Sequence, residues 1–386
     1  MSVYACFLNK TEPEKHAKKR YDSLSFDPYV SRKVAKLENG VIYILDWTPY
    51  YSYPEVVDDF RFYCPELPCR VTCDRRILRH SAAVVFYPTD MQYFDWPLWR
   101  SPLQSYVMGL FEAPSRFNEV NWADLRLYAD RFNLTMTYRL DSDIIGPYGL
   151  LRERKVKREQ SEFEQDLNLI LQKKTKLVAW FVSHCNTQSQ REKLVAELKK
   201  YVPVDVYGSC GGQRCELGCD EQQVLDQYKF YLSFENSICR DYITEKFFKR
   251  LTQDIVPIVL GGEKDFFDTG ELRFIQGGFI LVTNFTSAKH LADYLLFLDA
   301  HPEEYKKYFY WKQNYEVNGF LLSREVAYCR LCQRLMWMSE DVGKRTKSYS
   351  DINYWWFGKY KCDNSLVERL LANSTLTRNP SFEPPV

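Results

Sequence analysis

The sequence predicts an α/β fold in two domains, on three observations. From residue 177 onward, strand-like runs alternate with helical patterns of about 10 to 15 residues, which argues for a parallel sheet covered on both faces. In the first half, runs of β-branched and aromatic residues are closed by Pro, Asp or polar clusters, as strands are. At 386 residues with 45% hydrophobic and 16% aromatic content, the chain can bury two full cores.

Residues 1–36 are charged with little periodicity and read as an irregular lead-in. Strands are expected at Val41–Asp46, Ala82–Tyr87, Tyr106–Phe111 and Leu134–Tyr138, with one helix within Trp122–Phe132. Glu112 follows the apolar run YVMGLF and precedes Ala113-Pro114, so it stands where a strand ends and the chain turns. A carboxylate there reads as a solvent-facing glutamate, or as a candidate base if the domain opposes another. Asp141-Ser-Asp143 has the form of a D-x-D metal motif, but its place in a loop favours structural hydrogen bonding.

The basic run RERKVKRE opens residues 152–176, and Phe163–Leu171 fits a helix. The stretch reads as a solvated linker and domain boundary, with phosphate contact as the sharper alternative. LVAWFVS then reads as a strand, SQREKLVAELKKY as a helix and VDVYG as a second strand. KFYLSF, the helix DYITEKFFKRL, IVPIVLG, FILVTNF and the helix SAKHLADYLLFL follow. No G-x-G-x-x-G opens a helix, and Gly261-Gly262 lacks the rest of that fingerprint, which argues against a dinucleotide-dependent dehydrogenase. No pair of the five histidines has H-E-x-x-H spacing, so a hydrolytic zinc site is unsupported. The tail from Asn373 to Val386 is expected to be disordered.

The balance of 52 basic against 51 acidic residues provides no protein-wide field for a nucleic acid, so any phosphate recognition must be local. Ser189 and Glu192 have capping-box spacing, which would put Arg191 in the first turn of a helix, at the unfavourable end of its dipole. That placement suits a bound anion; equally, Arg191 reads as an exposed arginine on a surface helix. In YKFYLSFENSICRDYITEKFF, residues 228–248, a strand, a polar turn and a helix start bring Tyr242, Glu245 and Lys246 into the first turns of a helix, a natural anion site. By themselves Glu245 and Lys246 would be solvated surface.

Twelve cysteines and four N-x-Ser/Thr sequons, at Asn9, Asn133, Asn284 and Asn373, favour an oxidising secretory compartment. The alternative is zinc, since Cys69-x3-Cys73 and Cys329-x2-Cys332 have ligand spacing. No run approaches the roughly 18 to 20 apolar residues that span a bilayer, so the chain is expected to be soluble as it stands.

Residues 228–248 strongly resemble the signature of the α1,3-fucosyltransferases, glycosyltransferase family 10, and the FENSICRDYITEKFF version is most like invertebrate members. FNLTMTYRLDSDIIGPYG, residues 132–149, is similar to a further family block; Glu112-Ala-Pro resembles its E-S-P context, and Ser183-His184-Cys185 its S-N-C turn with His in place of Asn. The resemblance implies a GT-B arrangement, two Rossmann-like domains facing across a cleft, with an acceptor domain at 37–151, a linker at 152–176, a donor domain at 177–345 and an extension at 346–386. It implies that Arg191 and Lys246 contact the diphosphate of GDP-fucose, Glu245 its ribose, and Asn236, Tyr242 and Tyr148 the donor. It also implies that Glu112 is the catalytic base of an inverting transfer to O3 of N-acetylglucosamine, with core N-glycan or antennal acceptors as alternatives, and that no metal or other cofactor is required. A Golgi location follows from the family, whose members are normally membrane-anchored, so this would be a catalytic region lacking its anchor or a naturally anchorless form. Rival readings are a catalytically silent glycan- or nucleotide-binding relative, or a sugar-nucleotide hydrolase or other GT-B transferase. By the same resemblance, Cys329 and Cys332 pair with first-domain cysteines, with Cys64, Cys69 and Cys73 competing for two places. Cys185 is expected to pair with a donor-domain cysteine, Cys239 being the candidate.

Overall fold

The computed structural model describes residues 40–49, 64–92, 94–117, 124–212, 220–268, 272–318, 323–338, 347–359, 362–363 and 365–376. The lead-in 1–36, with Asn9, lies outside these residues, as does the tail beyond 376. The chain divides into two units. The first is residues 1–112, 120–147 and 323–359; the second is 113–119, 148–322 and 360–386.

The first unit is built on a parallel sheet of β1 (Ile42–Asp46), β2 (Cys69–Thr72), β3 (Ser81–Phe86), β4 (Ser105–Leu110), β5 (Leu134–Thr137) and β6 (Ile144–Ile145), in the order β2-β1-β3-β4-β5-β6. Both faces of β4 are buried, which is why its sequence is a continuous apolar run without alternation. The four expected strands are present within one residue at each end. Of the helix expected within Trp122–Phe132, the described residues 124–132 hold one 3₁₀ turn, Leu125–Tyr128, started by the Asp124 side chain and left behind where Asp130 takes φ +58°. The helix Ser323–Met338 returns to this unit, so the expected donor domain of 177–345 extends too far. Residues 347–359 return as well: Tyr349 exchanges backbone bonds with Asp130 and Phe132, and Arg139 donates to the Trp355 carbonyl. The extension expected at 346–386 is therefore not one segment.

The second unit carries β7 (Leu150–Glu153), α1 (Gln160–Gln172), β8 (Lys176–Phe181), α2 (Arg191–Leu198), β9 (Val204–Tyr207), α3 (Glu221–Leu225) and β10 (Tyr228–Phe234). These are followed by α4 (Glu245–Leu251), β11 (Val256–Leu260), β12 (Ile280–Leu281), α5 (Ala288–Ala300), β13 (Tyr315–Asn318) and α6 (Leu366–Leu376). Its parallel sheet runs β12-β11-β10-β8-β9. Val178, Trp180 and Val182 face one core with Leu194, Leu198, Leu291 and Leu295, while Ala179 faces a second with Tyr207, Tyr228 and Tyr231. Period-two burial on both faces is the signature of a doubly wound sheet.

Residues 152–176 are not a linker. β7 pairs antiparallel with β13, Arg152 and Arg154 both bind Glu316, Arg158 binds Asp166, and α1 buries Phe163 and Leu167 in the second unit's core. The run is basic because those carboxylates meet it. α6 carries helix through Asn373 to Leu376, where disorder was expected.

Candidate active site

In the second unit, β8 and β10 are neighbours, but the chain continues outward to β9 from one and to β11 from the other. At such a switch point the loops leaving the two strands diverge, and ligands of open α/β sheets bind outside those carboxyl ends. Residues 182–190 leave β8 here and residues 235–244 leave β10, each leading to a helix start.

Arg191 is the first residue of α2 and is buried, 4% exposed. Nη1 donates to the Phe234 carbonyl at 2.6 Å and Nη2 to the His184 carbonyl at 3.1 Å, with the guanidinium 5.6 Å from the Trp180 ring centroid. The surface-arginine alternative is thus overturned. The expected capping box is also absent: Gln190, at φ +55°, stands at the N-cap position without a side-chain cap, because Ser189 turns its Oγ to the Glu235 carbonyl at 2.7 Å. Ser189 N also donates to the Asn236 carbonyl at 3.0 Å, so the two loops are tied together. Burial lowers the Arg191 pKa, and Glu235 and Glu192 oppose that shift.

Lys246 lies in the first turn of α4, which Thr244 caps. Its Nζ reaches Thr244 Oγ1 at 2.9 Å, Glu245 Oε1 at 2.9 Å and Glu235 Oε2 at 3.2 Å. Burial works against its charge, yet the two carboxylates raise its pKa overall. The same Lys246 charge holds Glu245 below the usual carboxylate range, against burial. Tyr242 precedes the cap rather than standing in the helix; its ring is buried edge-on to Tyr148, centroids 6.4 Å apart. Asn236 Oδ1 is buried without a hydrogen-bond partner among the described residues. Five donor-side candidates, Arg191, Asn236, Tyr242, Glu245 and Lys246, therefore gather at the carboxyl ends of β8 and β10, and Tyr148 joins them through Tyr242.

Glu235 was missed by the sequence reading. It is fully buried, accepts from Thr244 N at 2.7 Å and Thr244 Oγ1 at 2.8 Å, and forms an ion pair with Lys246 at 3.2 Å. Burial raises its pKa. Gly261 lies against it: a Cβ there would stand 2.6 Å from Glu235 Cγ, on backbone with φ +151°. The only sequence signal was an acidic residue ending an apolar strand, which periodicity assigns to solvent.

"Alpha-(1,3)-fucosyltransferase C" of Drosophila melanogaster is 34% identical to this chain over 357 residues, covering 84% of this chain and 79% of that protein. A profile for "Fucosyltransferase, N-terminal" matches residues 39–149, and one for "Glycosyltransferase family 10 (fucosyltransferase) C-term" matches residues 171–355. The chain belongs to glycosyltransferase family 10, the fucosyltransferases. A second fly relative of this family 10 member, "Glycoprotein 3-alpha-L-fucosyltransferase A", is 36% identical over 306 residues, covering 78% of this chain and 56% of that protein. A solved "alpha1,3-Fucosyltransferase with GDP" is similar at 16% identity with a TM-score of 0.49, covering 84% of this chain and 97% of the other.

The remaining family 10 candidates divide between the units. Glu112 is in the first, half-buried, two residues beyond the end of β4 as its sequence position predicts. Asp143 accepts from Thr135 N at 2.9 Å and the Tyr349 hydroxyl at 2.8 Å, and Asp141 binds Arg139 and Lys359. Both carboxylates thus have internal structural partners. Among the described residues there is no group of three or more His, Cys, Asp or Glu that could hold a metal.

The first unit is sewn by Cys64–Cys329 and Cys69–Cys332, and Cys73 is also disulfide-bonded. The four-thiolate alternative fails because Cys69, Cys73, Cys329 and Cys332 are all committed to disulfides. Cys185 pairs with Cys210 and Cys239 with Cys362, correcting the expected Cys185–Cys239 link. Of the sequons, Asn284 and Asn373 are exposed. Asn133 is not an accessible acceptor: it is buried, takes Tyr106 N at 2.8 Å on Oδ1 and donates Nδ2 to the Lys347 carbonyl at 3.0 Å. Among the described residues no helix is long and apolar enough to cross a membrane.

Proposed function

We propose that this fucosyltransferase moves L-fucose from GDP-fucose to O3 of N-acetylglucosamine in a glycan, with inversion at the anomeric carbon. The observation that carries the reading is the pairing of Arg191 with Lys246 at the switch point of the second sheet, where fixed cations suit a diphosphate. Glu245 is the carboxylate for the ribose diol, and Asn236, Tyr242 and Tyr148 pack the rest of the donor. As GDP departs, Arg191 and Lys246 stabilise the charge growing on it, and Glu112 takes the proton of the attacking hydroxyl on the opposite face. In this scheme the leaving group is stabilised without a divalent ion.

The N-glycan core is the proposed acceptor. The invertebrate-like FENSICRDYITEKFF segment supports it, as does likeness to a fly relative named for glycoproteins. Antennal N-acetylglucosamine is the alternative. Golgi-lumenal residence is part of the proposal, supported by the disulfides of both units. The test is a donor and acceptor screen with wild type and Glu112→Gln. The variant is expected to bind GDP normally and to lose transfer by about 10²-fold or more. Unchanged turnover would remove Glu112 from its role, and GDP-fucose consumption without acceptor would favour a hydrolase.

A further inference from the structure

We propose that Glu235 is a positioning residue of the donor site, the fixed anchor that holds the Lys246 ammonium where a diphosphate meets it. The inference rests on the donor reading above. Lys246 has three N–H donors; it donates to Thr244 Oγ1 and Glu245 Oε1, and its ammonium forms an ion pair with Glu235 Oε2 at 3.2 Å. A phosphate oxygen arriving at Lys246 competes with these partners.

The three partners differ in their freedom. The Glu245 side chain is 34% exposed and can turn away, as it must to accept from a ribose diol. Glu235 cannot turn: it is fully buried and bonded twice to Thr244, its Cγ leaves no room for a Cβ at Gly261, and its own N–H is bound to the Leu260 carbonyl at 2.8 Å. Its backbone carbonyl is also clamped by Ser189 Oγ, in the loop that leads to Arg191. Glu245 is therefore the exchangeable partner and Glu235 the permanent one. Arg191, the nearby like charge, works against Lys246, so a fixed carboxylate also keeps the two cations compatible in one site.

Glutamine at position 235 has the same shape but one acceptor oxygen. It cannot serve both Thr244 N and Lys246 Nζ, and its NH₂ must face one of them. The test is calorimetric titration of GDP into wild type, E235Q, K246A and the double variant, with thermal midpoints and separate donor and acceptor KM values. E235Q is expected to weaken GDP binding by about tenfold and to raise donor KM with acceptor KM unchanged. The double variant should bind GDP within about twofold of K246A, because Glu235 acts through Lys246. If E235Q does not fold, E235D keeps the charge but withdraws it by one methylene, and the same weakening and donor-specific KM change are expected. Wild-type affinity in E235Q, or losses that multiply in the double variant, would overturn the anchor role while leaving the donor reading intact. Absence of GDP binding by the wild-type protein would overturn both.

Discussion

At the scale of single residues, hydrogen-bond accounting separates groups that hold the fold from groups that await a ligand. Asn236 Oδ1 is buried and orphaned among the described residues, a costly state unless a ligand completes it. Asn236→Ala is therefore expected to raise donor KM several-fold while changing stability by less than about 0.5 kcal/mol. A matching loss of thermal midpoint would mark it as structural. Asp46 is the opposite kind: buried at the end of β1, bonded by the Tyr328 hydroxyl, its pKa raised to about 6, chiefly by desolvation. Between the ordinary carboxylate pKa and about 6, the folded state keeps a proton that the unfolded chain has released, so Asp46 costs stability as pH rises through that window. Relative to Asp46→Asn, the wild type should lose up to about 3 kcal/mol between pH 4 and 7 in urea unfolding, and a constant difference would refute the assignment.

At the scale of elements, α4 is only seven residues long and depends on its cap. Thr244→Ala removes the cap and a partner of both Glu235 and Lys246, so the helix should lose about 1 kcal/mol and GDP affinity should fall with it. Gly261→Ala forces a Cβ toward Glu235 on backbone that side chains rarely adopt, and a loss of 2 kcal/mol or more, roughly, is expected in denaturant unfolding. These elements also show what a sequence discloses. Four strands of the first unit were legible because each is a largely buried run, whereas β2 (Cys69–Thr72) is an edge strand with Arg70 exposed and β6 (Ile144–Ile145) has only two residues. The start of α2 was misplaced because Ser189 bonds a carbonyl 46 residues away, a tertiary choice no capping rule contains. Arg191, Glu245 and Lys246 were legible through a resemblance. Glu235 was not, since nothing local shows that a carboxylate at a strand end points inward.

At the scale of the whole molecule, the first unit is assembled from distant parts, with Cys64–Cys329 and Cys69–Cys332 separated by 265 and 263 residues. Loop-closure entropy makes the first of these links worth about 4 kcal/mol or more in the chain-entropy view, the second then closing only a short loop. Reductant is therefore expected to lower the thermal midpoint sharply, measured by calorimetry with and without it. An unchanged midpoint would show that these links add nothing to stability.

The same discontinuity sets an order on biosynthesis. A ribosome releases β1 to β6 early, but the helix bearing Cys329 and Cys332 emerges only after most of the second unit has been made. The strands of both sheets are released before that helix, so Cys64 and Cys69 cannot meet their native partners until most of the chain has been made. Any earlier bond made by either thiol must therefore be exchanged before the native pair can form.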